Sequence, residues 1–347
     1  MLNLIKHSIY NYQTYKAVQY QKLDISYQVF GQKLHTAPVV LVNHALTGNS
    51  DVASKNGWWN TIVGAGKVID TTRFTVIAFN ILGNGYDGNL IRNYKYFSAK
   101  DIARIFLTVL EQIGVKKIFA LIGGSLGGGI AWEMAALKPN YIEYLIPIAT
   151  NWKSTDWIIG HNYIQEQLLE NSTKPLEDAR MMAMLFYRTP ASFTQKFQRT
   201  KTENGEQFSV ASWLEHHGDK LEKRFKLLAY KMMNHLLTTI DISQKQKSFE
   251  QVLTNVKSTI IQVAIDTDLF FVKEENLKNK VVLDTLGIKN EYHEIKSIHG
   301  HDAFLIEYQQ LETILKPIFN QLSVSRKQLS VRNSETTDNK HFNFKYN

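Results

Sequence analysis

The stretch FALIGGSLGGGIAWEMAALKP, residues 119–139, constrains this chain more than any other. An apolar run of strand length stops at Gly123-Gly124, a single Ser125 follows, and Gly127-Gly128-Gly129 come after Leu126. The next residues carry helix-forming side chains up to Pro139, a residue a helix interior rejects. A strand that turns at once into a helix needs a bend too tight for most side chains, which is why glycine gathers there. A serine at the apex of such a bend presents its Oγ above the edge of a sheet. The N–H of the following residue then faces the oxygen that turns negative during acyl transfer. G-x-S-x-G alone is weak, since it recurs by chance in roughly one chain in ten of this length at average residue usage. A phosphate loop would ask for G-x-G-x-x-G with a downstream acid, or for a lysine after the glycines, and neither is present. A plain strand-to-helix packing turn is the other alternative. The strand before and the helix after favour a nucleophile elbow.

The segments around it decide the fold class. APVVLVNHA (37–45), FTVIAFNIL (74–82), KIFALIG (117–123), YLIPIAT (144–150), STIIQVAI (258–265) and EYHEIK (291–296) read as strands. Ser98 opens a helix with Asp101 at capping-box spacing, and Ile102, Ile105, Phe106, Val109, Leu110 and Ile113 follow at helical period to Gly114. Continuous apolar strands alternating with helices predict a mostly parallel sheet with helices on both faces. From residue 151 to 249 the pattern is helical, as in LEDARMMAMLFYR (176–188) and KLEKRFKLLAYKMMNHLL (220–237). The expectation is therefore an α/β core from residues 1–150 and 250–322, closed by a final helix starting near Asp302. Residues 151–249 form an inserted helical cap over the sheet's carboxyl edge, where such proteins bind ligands. The polar, aperiodic residues 323–347 are expected to be a disordered tail.

The 347 residues include no cysteine, which excludes disulfides, thiol nucleophiles and Cys-ligated zinc and fits a reducing cytoplasm. The formal charge of +8 is scattered, apart from five Lys/Arg against two Asp/Glu in the tail. No nucleic-acid signature accompanies it, so solubility and modest steering of an anionic cosubstrate are the expected uses. MLNLIKHSIYNYQ lacks the apolar core of a secretory signal, and no stretch reads as a membrane span.

A serine hydroxyl needs a base, and the base an orienting acid, which on a strand–elbow–helix frame follow in the order Ser, Asp, His. IDTDLFF offers Asp266 or Asp268 directly after a strand; SIHGHDAFLIE offers His299 or His301 between a strand and the last helix. His301 is favoured because it follows Gly300 at the border of that helix. His293, His299 and His301 lack the partner ligands a metal site would want, so no metal is expected. The second oxyanion donor falls in NHALTGNS, at the backbone N–H of Leu46. His44 in the same loop reads as a structural hydrogen-bonding residue.

These residues resemble one family of the α/β-hydrolase fold, the homoserine O-acetyltransferases. The resemblance is carried by HALTGNS, GWWNTIVGAGKVIDTTRFTVIAFNILG, LIGGSLGGG, ARMMAMLFYRTPASFTQKF, DTDLFF and GHDAFL, and spans about residues 39–307. It implies Asp268 as the acid and Leu46 and Leu126 as oxyanion donors. It implies further that Arg180 and Tyr187, seven residues apart, bind the amino acid, and that Asp302 holds its ammonium. An arginine fork suits a carboxylate and a buried carboxylate suits an ammonium. Without the resemblance the three read as an exposed helix residue, a core aromatic and the N-cap of the last helix. The implied reaction moves an acetyl group from acetyl-CoA to the hydroxyl of L-homoserine through acyl-Ser125, for methionine synthesis. No bound cofactor and no metal are implied, and the partners are small molecules within a cytoplasmic homodimer. Two stretches depart from the family pattern. ILGNGYDGNL (81–90) is short, and NWKSTDWIIGHNYIQEQLLENSTKP (151–175) lacks the usual acid-Pro turn. Both border the acyl-donor entrance, so succinyl-CoA as donor and serine as acceptor stay open, as does a plain esterase.

Overall fold

The structure, a computed structural model, describes residues 4–243 and 248–320. Its main sheet has eight strands, built from β1 (Ile5–Gln13), β2 (Gln19–Gly31), β3 (Val39–Asn43), β6 (Thr75–Phe79), β7 (Ile118–Gly124), β8 (Ile142–Ile148), β9 (Thr259–Ile265) and β10 (Asn290–Ile295). The short pair β4 (Val63–Gly64) and β5 (Ile69–Asp70) stands apart. The order across the main sheet is β1-β2-β6-β3-β7-β8-β9-β10. From β6 to β10 all neighbours are parallel, while β1–β2 and β2–β6 are antiparallel.

The strands β3, β6, β7, β8 and β9 are largely apolar because both faces are covered. Leu41, Ile77, Phe79, Leu121, Leu145 and Ile260 point into one core, together with the inner faces of α1 (Ala99–Gln112) and α2 (Leu126–Leu137). Their neighbours Val40, Val42, Val76, Ile122, Ile146 and Ile261 point into a second core. That core is closed by Trp59, Phe74 and residues of the C-terminal helix α10, 308–320. The expected α1 cap is present: Ser98 and Asp101 bond each other's backbone amides reciprocally.

Between β8 and β9 the chain runs through α3 (Asp156–Asn171), α4 (Pro175–Tyr187), α5 (Pro190–Phe197), α6 (Ser209–Arg224), α7 (Leu227–Thr238) and α8 (Phe249–Leu253). Helix α9 (Lys273–Thr285) then joins β9 to β10.

Three features differ from the sequence reading. The N-terminal hairpin β1–β2 adds two antiparallel strands; its alternating polar side chains, such as Lys22 and Asp24, hide it from a search for buried strands. The run 220–237 is two helices, broken where Phe225 turns extended (φ −126°, ψ 155°) and its ring buries. The segment at Asp302 is a 3-10 turn, Gly300–Leu305, and α10 starts six residues later, so Asp302 caps no helix. Its Gly300 takes φ +64°, which turns the next side chain back toward the sheet. The tail 323–347 lies outside the described residues.

Candidate active site

Ser125 lies between the end of β7 and the first residue of α2. Its backbone sits at φ 54°, ψ −125°, a region costly for a residue with a Cβ. The surroundings hold it there: its N–H donates to Ile148 O at 2.9 Å, and its carbonyl accepts from the Gly128 and Gly129 amides. The glycines follow from contact. A Cβ on Gly127 would lie 2.4 Å from Asn43 O, and one on Gly123 2.5 Å from the Gly127 backbone. Strand β3, the elbow and α2 therefore approach more closely than any side chain permits.

Ser125, His301 and Asp268 come together from three distant segments, all at the carboxyl ends of β7, β9 and β10. Ser125 Oγ is 3.0 Å from His301 Nε2, and His301 Nδ1 is 2.8 Å from Asp268 Oδ2. The other carboxylate oxygen, Oδ1, accepts the Phe270 and Phe271 amides at 2.7 and 3.0 Å. A carboxylate fixed in this way selects the tautomer with hydrogen on Nδ1, leaving Nε2 free to take the serine proton. Ser125, Asp268 and His301 are each 4–5 % exposed. Aromatic rings pack round the imidazole: Tyr187 and Phe270 lie 5.3 and 5.1 Å away by centroid, and Phe271 and Phe304 each 5.8 Å. Phe304 also explains Gly124, where a Cβ would meet its ring at 2.5 Å. The other candidates lie elsewhere. Asp266 accepts the Ser297 amide, His299 bonds Ser192 Oγ, and His293 pairs with Glu291.

Leu126 is the first residue of α2, so its N–H precedes the first intrahelical bonds. Leu46 sits in the loop after β3, which is pinned from below by His44. His44 Nδ1 bonds Ala45 O at 2.7 Å, and Nε2 accepts the Ile81 amide at 3.0 Å. Burial pushes its pKa down to about 4, so it stays neutral and structural. From above, Arg224 at the end of α6 donates to Thr47 O and Thr47 Oγ1.

Arg180 and Tyr187 are both on α4. The Arg180 guanidinium lies 5.6 Å from the Tyr187 ring centroid, and that ring is the one beside His301. Arg180 makes no ion pair among the described residues. Burial raises the Tyr187 hydroxyl well above the ordinary phenol range, so it acts as a neutral group. Asp302 faces Arg188, with Oδ2 3.2 Å from Nε. No helix among the described residues is long and apolar enough to cross a membrane.

The alpha/beta hydrolase fold family model matches residues 38–271. A homoserine O-acetyltransferase of Cyclobacterium marinum is 33% identical over 304 residues, covering 81% of this chain and 84% of that protein. The chain belongs to the homoserine O-acetyltransferase family. The crystal structure of a homoserine O-acetyltransferase from Bacillus anthracis superposes with a TM-score of 0.81 at 19% identity, covering 92% of this chain and 99% of that one. The structure of esterase E22 does so at 0.82 and 18%, covering 92% and 100%. Both share the fold. Within this homoserine O-acetyltransferase family member, sequence reasoning missed Arg188, Arg224 and the ring cage. Arg188 follows Tyr187 directly, but nothing in the sequence pairs it with Asp302. Arg224 and Thr47 are 177 positions apart, and no local pattern joins them.

Proposed function

We propose that the protein transfers an acetyl group from acetyl-CoA to the hydroxyl of L-homoserine by way of acetyl-Ser125. The observation that carries this reading is the hydrogen-bonded line Ser125–His301–Asp268 buried beneath a cap, in a chain of this family. His301 Nε2 takes the Ser125 proton as Oγ attacks the thioester carbonyl. The oxyanion meets the Leu46 and Leu126 amides, each worth about 3 kcal/mol in comparable sites. The C–S bond breaks, the thiolate takes the proton from His301, and coenzyme A leaves. The homoserine hydroxyl then gives its proton to His301 and attacks the acyl carbon. Ser125 leaves, reprotonated, and O-acetylhomoserine is released.

The acceptor needs a cation for its carboxylate and an anion for its ammonium. Arg180, free of ion pairs among the described residues, supplies the first. Asp302 supplies the second, with the ammonium exchanging for Arg188 as partner. The buried triad restrains water from competing for the acyl group. A cytoplasmic homodimer fits the same reading. The chain contains no cysteine, and the cap helices α3 and α4 leave Trp157, Ile164 and Leu185 exposed as apolar contact area.

Intact mass after mixing with acetyl-CoA alone tests the mechanism. One added acetyl group, absent in Ser125→Ala, is expected; an unmodified wild-type protein that still releases coenzyme A would overturn the covalent route. Release of coenzyme A with and without homoserine separates the transferase from an esterase: the transferase needs the acceptor for turnover. Replacing acetyl-CoA by succinyl-CoA, or homoserine by serine, fixes donor and acceptor. Mass by light scattering tests the dimer.

A further inference from the structure

Ile298 and His299, just before the 3-10 turn that carries His301, help to line a second cavity of about 380 Å³. Its other walls come from Arg188 and from α5 and α6, and none of the three catalytic side chains lines it. The volume falls in the range of small-molecule sites. Three rings form an open box: Trp213 stands edge-on to both Phe193 and Phe197, each at 5.6 Å by centroid. The charges are all of one sign. Arg188 and Lys196 line the cavity, and no acid does. The Lys196 ammonium lies 4.8 Å from the Trp213 ring centroid and has no ion pair among the described residues. His217 packs on the same tryptophan at 4.1 Å. Burial first, then Arg180, His216, Arg188 and Lys220, push its pKa down to about 4. Burial and Arg188 likewise push Lys196 below its ordinary value. Arg188 is paired with Asp302 through its Nε, but Lys196 has no such partner among the described residues, and cations beside aromatic faces in a cavity lined by no acid mark a place for an anion that brings its own planar ring.

We infer that this cavity holds the nucleotide end of the acyl-CoA donor, with the adenine against Trp213 and a phosphate between Arg188 and Lys196. The inference rests on the donor proposed above and adds its binding site. A simple inorganic anion would have no use for three rings, and an apolar acyl chain none for Arg188 and the unpaired Lys196 ammonium. The route to the serine is short in chain terms. Arg188 follows Tyr187, whose ring touches the His301 cage, and His299 precedes His301 by two residues. A flexible arm leaving the cavity therefore runs along residues shared with the catalytic centre.

Two measurements on the full chain test this. The first compares kcat/KM for acetyl-CoA and for acetyl-pantetheine, which lacks the nucleotide, in wild type, Lys196→Glu, Lys196→Met and Trp213→Ala. The acetyl-CoA to acetyl-pantetheine ratio is expected to fall at least tenfold in Lys196→Glu and Trp213→Ala, and by less in Lys196→Met. The second titrates adenosine 3′,5′-bisphosphate by calorimetry, with binding in wild type and at least tenfold weaker binding in Lys196→Glu. A ratio constant across folded variants overturns the inference, as does a bisphosphate that fails to bind wild type or binds Lys196→Glu equally. If wild type uses neither thioester, the donor reading fails by itself, and the bisphosphate titration still decides whether the cavity is a nucleotide site.

Discussion

Asp268 shows how much one carboxylate does. One oxygen accepts a hydrogen bond from His301 Nδ1 and the other accepts from two backbone amides, so three hydrogen bonds to one carboxylate fix the ring. Asp268→Asn cannot serve both sides, because its NH₂ must face either the imidazole N–H or the two amides. The favoured repair is the wrong tautomer, and kcat for acetyl transfer is expected to fall by about 10⁴, as in comparable triads. A steady-state assay checks it, and a loss under tenfold would refute the orienting role. Ser125, His301 and the loop carrying Leu46 were legible in the sequence because their chemistry dictates residue type and chain order. The choice between Asp266 and Asp268 was not legible from the residues alone. Both follow β9, and only the backbone path shows that Asp266 turns away to Ser297.

At the level of elements, α2 carries two constraints that meet at its buried side. Its glycines let it lie against β3; Gly127→Ala would push a methyl group into Asn43 O and His44 O, both backbone atoms that cannot yield cheaply. The expected cost is about 1–3 kcal/mol of stability, read by denaturant unfolding, together with a lower kcat because the loop carrying Leu46 is displaced. Six residues further on, Glu133 is fully buried, with Oε1 accepting the Asp241 amide at 3.0 Å and Oε2 lacking a partner among the described residues. Burial raises its pKa to about 7. The folded state therefore keeps this proton where the unfolded chain has lost it, and stability falls as pH rises from the ordinary carboxylate range through about 7. The slope is at most about 1.4 kcal/mol per pH unit. Melting temperatures between pH 5 and 8 are expected to drop for wild type and to flatten in Glu133→Gln; parallel curves would refute the assignment. The parallel strands and α1 were legible, since apolar runs and a capping box are local signals. The hairpin β1–β2 and the break at Phe225 were not. An edge hairpin with a wet face has mixed polarity, and Phe225 leaves the helix to bury its ring, a demand set by distant neighbours.

Across the whole molecule, cap and core are joined over the catalytic centre. Arg224 reaches from α6 to Thr47, beside the Leu46 amide, while Trp157 on α3 bonds Leu269 O beside the acid. Arg224→Ala is expected to lower kcat about tenfold, less than the 10²–10³ that follows loss of an oxyanion donor, with a smaller effect on KM for homoserine. A pure KM effect would place Arg224 in binding instead. The order of parts along the chain has its own consequence. The hydroxyl emerges at residue 125, its roof follows, and the imidazole that arms it appears only at residue 301, 176 positions later. A half-made copy on the ribosome thus carries a harmless alcohol, armed only once the segment bearing residue 301 has been made and folded back onto it.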